Sequence, residues 1–283
     1  MTVLEGIQKS AEFLAKKSVE PPRLHAELLL AHLLKMPRMK LYLNFERALT
    51  PAEVDALREL VRRRGLREPL QHITGSTSFC GLEIAVSRHV LIPRPETELL
   101  AEAGWNYLST INHQPSTALD FGTGSGCIAV ALAEKCPGAK IFALDVSADA
   151  LALARQNAAA NPAANRIEFV ESNGFAALPN ELRFDLIVSN PPYIPTAEIE
   201  TLEPEVRDYD PRGALDGGAD GLDFYRRLAV EAQQFLKPAG KIILEFGEGQ
   251  AAAIREIFEK QNWVVEAIQP DYTQRERIFI ARL

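Results

Sequence analysis

The feature that most constrains the fold is a passage from one apolar run to another. The run Thr117–Phe121 leads through Gly122-Thr123-Gly124-Ser125-Gly126 into a helical segment, Cys127–Glu134, and then into a second apolar run, Lys140–Leu144, that closes at Asp145. Glycines between a strand and a helix permit a tight turn and let the backbone approach a ligand closely. The alternation continues with strands predicted at Ile167–Val170, Phe184–Ser189 and Lys241–Phe246 and helices at Ala148–Ala159 and Leu222–Phe235. Continuously apolar strands are what a parallel sheet covered by helices on both faces requires. After a helix over Gln250–Glu259, the segments Trp263–Ile268 and Arg277–Ala281 are separated only by a polar turn around Asp271. That leaves no room for a crossover helix, so the two should pair antiparallel. The expected core is α/β: a doubly wound seven-stranded sheet with an antiparallel C-terminal strand.

The first 75 or so residues read differently. Leu4, Ile7, Ala11 and Leu14 recur at helical spacing, as do Leu24, Leu28 and the apolar positions through Leu34. Thr50-Pro51-Ala52-Glu53 is a capping box with proline at the first helical position. It opens a helix with Val54, Leu57 and Val61 on its inner stripe and Gly65 as its expected stop. Leu82, Ile84 and Val86 then alternate, and Val90 with Ile92 offers a second short strand, which together predict a hairpin. The domain reading is a small helical bundle over residues 1–76, a β-hairpin linker over 77–96, and a catalytic domain over 97–283.

Composition narrows the class. The chain has 283 residues, 47% hydrophobic, enough for a buried core in one larger and one smaller domain. Its net charge of -7 is uneven: residues 1–79 carry +4 and the remainder -11. Arg62, Arg63, Arg64 and Arg67 crowd one helix end, either as a solvated cationic last turn or as a contact surface for an anionic partner. Three cysteines, Cys80, Cys127 and Cys136, without CxxC spacing suit a reducing compartment, and no metal site is expected. No signal peptide is evident, and apolar runs fall short of the roughly 20 residues that cross a bilayer. A cytoplasmic protein is expected.

The glycine turn with Asp145, 19 residues beyond Gly126, points to an adenosine-containing ligand whose ribose hydroxyls a carboxylate can accept. Taken alone the pair fits a nicotinamide dinucleotide almost as well. Asp120 tilts the reading toward S-adenosylmethionine, because a carboxylate there can meet an ammonium group but would repel a pyrophosphate. The terminal hairpin points the same way, since nucleotide dehydrogenases finish with a second βαβ half. Expected cofactor contacts are Asp120, Gly122, Thr123, Gly124, Gly126 and Asp145, with Ser172 and Asn173 near the adenine and Asn190 beside the sulfonium methyl.

Asn190-Pro191-Pro192-Tyr193 ends the fourth apolar strand, which should flank the first at the topological switch. An amide or aromatic amine nitrogen is a poor nucleophile because its lone pair is delocalised. The Asn190 oxygen and the Pro191 carbonyl can accept hydrogen bonds from both N–H groups of such an acceptor. Pro191 and Pro192 hold the turn rigid, and Tyr193 can pack against the flat group. Arg94, between Pro93 and Pro95, is read either as lining the crevice mouth or as bridging the hairpin to the main domain. His72 is read as ordering the interdomain turn. Gly217-Gly218 is read as a flexible approach to a lid, with Asp220 or Asp223 capping the next helix.

Along nearly its whole length the chain resembles the peptide chain release factor N5-glutamine methyltransferases, a class I S-adenosylmethionine-dependent family. The resemblance rests on separated blocks: Pro69–Gly75, Leu91–Glu98, the glycine turn with Asp145, Asn190–Pro195, and Asp210-Pro211-Arg212 leading into Gly217–Asp223. It implies methylation of the glutamine in the Gly-Gly-Gln motif of class I release factors, with the helical domain helping to dock that partner. It implies Asn190 as the amide clamp with Tyr193 beside it, and Asp145 on the ribose. Asn173 stands where many relatives have an acid, and its amide oxygen can still accept a hydrogen bond. A monomer with no membrane and no direct nucleic-acid substrate is expected. Two other functions compete. One is adenine-N6 methylation of DNA or RNA, which would usually need a long basic recognition region. The other is a non-catalytic ribosome-associated binding module.

Overall fold

The computed structural model describes residues 1–112, 115–161 and 164–283, and the chain divides into two compact units. The first comprises Met1–Ser76 together with Glu203–Tyr209, and the second Thr77–Leu202 with Asp210–Leu283. No helix among the described residues is long and apolar enough to cross a membrane.

The first unit holds α1 (Val3–Ala15), α2 (Pro22–Leu33), α3 (Arg38–Tyr42), α4 (Pro51–Gly65), α5 (Leu70–Thr74) and the short α9 (Pro204–Arg207). The Thr50 capping box is present: the Glu53 amide donates to Thr50 Oγ1 at 3.2 Å, and Glu53 Oε2 accepts from the Thr50 amide at 2.9 Å. Thr2 and Glu5 form a second box at the start of α1. Ile7, Leu14, Leu29, Leu30, Leu57 and Val61 make the shared core. Gly65 is the last residue of α4, as expected; a Cβ there would come 2.6 Å from the Phe13 ring, and the left-handed turn follows at Arg67, φ +68°.

The arginine cluster is neither a freely solvated turn nor an open cationic surface. Arg62 pairs with Glu59 at 2.7 Å, and Arg63 with Glu68. Buried Arg64 donates to Glu205 at 2.7 Å and to His25 Nδ1 at 3.2 Å, while Arg67 donates to Glu203 at 2.7 Å and to Glu205 at 2.6 Å. The acidic segment Glu203–Tyr209 therefore belongs with these helices, although sequence placed it in the larger domain.

In the second unit β1 (Ser76–Phe79) and β2 (Leu82–Ala85) form a hairpin, followed by α6 (Pro95–Ser109). Val90 and Ile92 form no strand. Cys80 and Gly81, both at positive φ (+52° and +79°), make the tight two-residue turn that twisted hairpins favour. The hairpin packs as part of the second unit: Ala85 exchanges two hydrogen bonds with the buried Asn157 side chain, at 2.8 and 3.0 Å.

The main sheet contains β3 (Ser116–Phe121), β4 (Ala139–Asp145), β5 (Ile167–Glu171), β6 (Phe184–Ser189), β7 (Leu236–Glu245), β8 (Val264–Pro270) and β9 (Glu276–Arg282). Its order is β5-β4-β3-β6-β7-β9-β8, parallel except that β9 runs antiparallel to both β7 and β8. Helices α7 (Cys127–Lys135), α8 (Ala148–Ala159), α10 (Asp223–Glu231) and α11 (Ala251–Lys260) accompany it. Every residue of β6 is buried, as a central parallel strand requires. The seven-stranded sheet with its antiparallel end is the one the apolar pattern predicts. Each observed strand lies within a few residues of its expected span, with β7 starting earliest, at Leu236.

Gly126 combines φ +80° with close packing, since a Cβ there would lie 2.9 Å from the Cβ and 3.1 Å from the Cα of Ala154 in α8. Left-handed strain adds to overpacking against backbone, so Gly126→Ala should destabilise the protein by about 2–4 kcal/mol. Chemical denaturation checks this: the midpoint should fall with the slope unchanged.

Candidate active site

The strand order reverses direction of growth at β3, which lies between β4 and β6 and is parallel to both. Open α/β sheets bind ligands at the carboxyl ends of such strands. Backbone pairing between β3 and β6 ends at Asp120 and Val188, and one residue further on the buried Ser189 hydroxyl donates to the Phe121 carbonyl at 2.6 Å. From this pinned point the glycine turn leaves one strand and Asn190 leaves the other. Both border a cavity of about 390 Å³.

Of the residues expected in the site, Arg94, Gly122, Thr123, Gly124, Asp145, Ser172, Asn173, Asn190 and Pro192 line this cavity. Gly122 and Gly124 have φ +74° and +54°, and no atom lies within 4 Å of where their Cβ atoms would stand. They leave open space beside exposed backbone. Asp145 at the tip of β4 receives the Gly124 amide on Oδ2 at 2.8 Å and the Ser147 amide on Oδ1 at 2.9 Å. Each oxygen keeps a further lone pair for a hydroxyl. Phe121, Leu144, Ala150 and Phe224 add apolar wall. The open cradle, the carboxylate and these walls fit an adenosine-bearing group.

Asp120, Gly126, Pro191 and Tyr193 are not on the cavity wall. Asp120 is fully buried, accepting from Thr123 Oγ1 at 2.6 Å and from the Ala129 amide at 3.1 Å, so it ties the glycine turn to the first turn of α7. Its other oxygen, Oδ1, has no hydrogen-bond partner among the described residues. Burial pushes its pKa up to about 7, opposed by the two hydrogen bonds and helped by the nearby Asp145 charge. Gly126 serves helix packing. Ser172 caps its own loop, its hydroxyl accepting from the Ala177 amide at 3.0 Å. Asn173 Oδ1 accepts from Arg227 Nη1 at 2.8 Å, which orients the amide and leaves the oxygen's second lone pair.

At the acceptor end Asn190 donates from Nδ2 to Thr97 Oγ1 at 3.1 Å, and Thr97 Oγ1 donates to Glu245 Oε2 at 2.7 Å. Glu245 closes β7 and is 1% exposed. Burial pushes its carboxyl up to about 7 against the pull of the Thr97 hydrogen bond, the Arg277 charge and the Asn190 amide. Tyr193 turns its ring over Gly247, where a Cβ would come 3.0 Å from Cδ2, and joins the core on that side. Burial raises its phenol to about 12.

Gly217-Gly218 is no loose lid. A Cβ on Gly217 would sit 2.8 Å from the Pro192 carbonyl, and Ile194 pairs with Asp216 as an isolated parallel bridge. Neither Asp220 nor Asp223 caps α10 with its side chain. Arg94 lines the cavity and donates to buried Asp210 at 2.6 Å, and as the N-cap residue of α6 it lies outside the hairpin it was expected to bridge.

Thr97, Asp210 and Arg227 escape the sequence reading as site residues, and Glu245 is read from sequence only for helix capping and cleft shape. For Glu245 a signal existed, a lone acid ending the apolar run Ile242-Ile243-Leu244 beside Phe246. No group of three or more His, Cys, Asp or Glu side chains that could hold a metal ion occurs among the described residues.

Residues 5–75 match the family model of the PrmC N-terminal domain, and residues 102–202 that of the methyltransferase small domain. A release factor glutamine methyltransferase of Geobacter sulfurreducens is 46% identical over 261 residues, covering 92% of this chain and 89% of that one. Its counterpart from Chlorobaculum tepidum is 43% identical over 282 residues, covering 98% and 95%. Among solved structures, a methyltransferase from Pyrococcus furiosus matches with a TM-score of 0.52 at 25% identity, covering 72% of this chain and 90% of that chain.

The raised carboxyl of Asp120 has a consequence for stability. A carboxyl whose pKa is higher in the folded than in the unfolded chain stabilises below the unfolded value, and that contribution is lost as pH rises through the folded value. Asp120 should therefore cost stability progressively between about pH 4 and 7. Asp120→Asn should flatten this decline, measured as the difference in denaturation midpoint between variant and parent across that range. Parallel curves for the two proteins would show that Asp120 is not the group responsible.

Proposed function

The chain belongs to the release factor glutamine methyltransferases, and from that premise we propose that it methylates the side-chain amide nitrogen (N5) of the glutamine in the Gly-Gly-Gln motif of class I peptide chain release factors. The methyl donor is S-adenosylmethionine, which when bound supplies an electrophilic methyl carbon on a sulfonium centre. The observation that carries the reading is one shared cavity: the glycine cradle with Asp145 on one side and Asn190 on the other.

The residues of the chain then divide the work. Gly122 and Gly124 admit the cofactor close to backbone, and Asp145 offers its remaining lone pairs to ribose hydroxyls. Asn190 Nδ2 is engaged by Thr97, which leaves Oδ1 as the acceptor for one N–H of the substrate amide. The neighbouring Pro191 carbonyl is the proposed second acceptor, although Pro191 does not itself border the cavity. Two such bonds hold a planar amide in one orientation and favour the charge that develops on nitrogen as the new bond forms. Alignment and electrostatics supply the acceleration, and no general base is needed. Tyr193, with its ring over Gly247, fixes the loop that carries both acceptors.

The helical unit is the proposed docking domain for the release factor. The arginine cluster is not the proposed contact, because its guanidinium groups are held by Glu59, Glu68, Glu203 and Glu205. A monomeric cytoplasmic enzyme is proposed, in keeping with a release factor as substrate. Adenine methylation is disfavoured by the same internal pairing, which engages the arginine cluster that a nucleic-acid backbone would need.

Incubation with isotopically labelled S-adenosylmethionine and either a release factor or denatured DNA, followed by mass spectrometry, tests the reading. Label should appear on the glutamine of the Gly-Gly-Gln motif, and label on adenine instead would overturn the assignment. Asn190→Ala should raise the barrier by about 2–4 kcal/mol, a loss of roughly 30- to 1,000-fold in kcat, by analogy with removal of one transition-state hydrogen bond. The dissociation constant for S-adenosylmethionine, measured by calorimetry, should stay unchanged.

A further inference from the structure

We propose that Thr97 and Glu245 are positioning residues for methyl transfer: the hydrogen-bond chain from Asn190 through Thr97 to Glu245 turns the asparagine amide so that its oxygen meets the incoming glutamine. The inference rests on the reading of Asn190 as the amide clamp and adds what gives that clamp its polarity.

A carboxamide has two ends of nearly equal size and opposite hydrogen-bonding character. Rotation by half a turn exchanges them at little steric cost. With oxygen in the cleft, Asn190 accepts from a glutamine NH₂. With nitrogen in the cleft, two donors face each other and the substrate is repelled. Something must choose between these states, and Thr97 is placed to do so. Its hydroxyl has one hydrogen, which goes to Glu245 at 2.7 Å. Toward Asn190, at 3.1 Å, Thr97 can then only accept, and so it selects the nitrogen of the amide.

The choice holds only while Glu245 is a carboxylate. A protonated Glu245 can donate to Thr97, which frees the threonine hydrogen for the asparagine oxygen and makes the reversed amide equally satisfied. Several groups face this carboxyl. Thr97 and Glu96 come from α6, Arg277 from β9 and Asn190 from the tip of β6. Tyr193 lies beside it, and the Tyr225 hydroxyl of α10 donates to the Glu245 backbone carbonyl at 2.8 Å. Burial outweighs the combined pull of Thr97, Arg277 and Asn190, so the group titrates near neutrality, at about 7. Below that pH the amide loses its bias, and turnover falls.

Steady-state methylation of a release factor, followed from about pH 6 to 9 in the parent and three variants, tests the chain. Thr97→Val removes the hydroxyl at nearly constant volume and should lower kcat by roughly tenfold or more, the worth of one buried hydrogen bond. Thr97→Ser restores the hydroxyl and should recover kcat to within about threefold on the same reasoning. Glu245→Gln, checked for native circular dichroism, should lower kcat and abolish the rise of kcat with pH through neutrality that the parent shows. Binding of S-adenosylmethionine, measured by calorimetry, should be unchanged in all three. Parent-like kcat in Thr97→Val, no recovery in Thr97→Ser, or an unaltered pH limb in Glu245→Gln would overturn the positioning role and leave glutamine methylation standing. Failure of the parent enzyme to label a release factor would overturn both.

Discussion

The hydrogen bond from the Ser189 hydroxyl to the Phe121 carbonyl holds together the two strand tips on which the site depends. Parallel pairing of β3 and β6 runs only as far as Asp120 and Val188, while Phe121 and Ser189 still pair with β4 and β7 before each backbone turns into its own loop. The Phe121 carbonyl would otherwise lie buried without a strand partner, a cost that folded proteins avoid. A serine side chain supplies the missing donor. The amides of Gly122 and Thr123 meanwhile both donate to the Leu144 carbonyl at 2.8 Å, so the glycine turn is also tied to β4. The cofactor cradle and the acceptor loop thus leave from fixed points.

Behind these loops the structure tolerates charge in places that favour neutrality. Asp120, Asp210 and Glu245 are all buried, and burial raises each of them, to about 7, 6 and 7. Asp185, at the other end of β6, shows the contrasting solution. Burial pushes it up, but Lys237 at 2.7 Å and the Thr117 amide and hydroxyl hold it below the ordinary carboxylate range. A purely structural carboxylate is therefore paired with a cation and stays ionised. Those near the cavity are held mainly by hydroxyls, amides or the half-exposed Arg94, which fix geometry without fully compensating the charge. Sites built this way trade stability for function.

Much of this could be read from sequence, for a physical reason. Central parallel strands are apolar on both faces, so β3, β6 and the core of β7 stand out as runs, and glycines at positive φ mark the turn after β3. Side-chain roles that depend on distant partners could not be read this way. Asp120 precedes the turn as a ligand-binding carboxylate would, yet its partners are Thr123 and Ala129. The Asn173 oxygen accepts from Arg227, 54 residues away in sequence. The arginines of α4 look free until Glu203 and Glu205 return to them. The hairpin was misplaced because Cys80 in a left-handed conformation carries no turn signature that composition reveals.

The acceptor loop joins these threads. Its prolines restrict φ, but prolines alone do not fix where a carbonyl points. Here the loop is held by three hydrogen bonds, one from Gln250 and two shared with the segment Leu215–Gly217. Gln250 Nε2 donates to the Tyr193 carbonyl at 2.9 Å, the Ile194 amide donates to the Leu215 carbonyl at 3.0 Å, and the Gly217 amide donates to the Ile194 carbonyl at 2.9 Å. Gly217 and Gly221 lack side chains because Pro192 and Tyr193 occupy the space a Cβ would need. A mobile lid at this position would blur the direction of the acceptor atoms. When the nucleophile is an amide nitrogen with a delocalised lone pair, orientation is the main resource a protein can offer, and it is effective only if the supporting shell does not move. In the proposed mechanism the paired glycines, Gln250 and the Thr97–Glu245 chain serve one requirement: they fix the direction of the two oxygens proposed to meet the substrate.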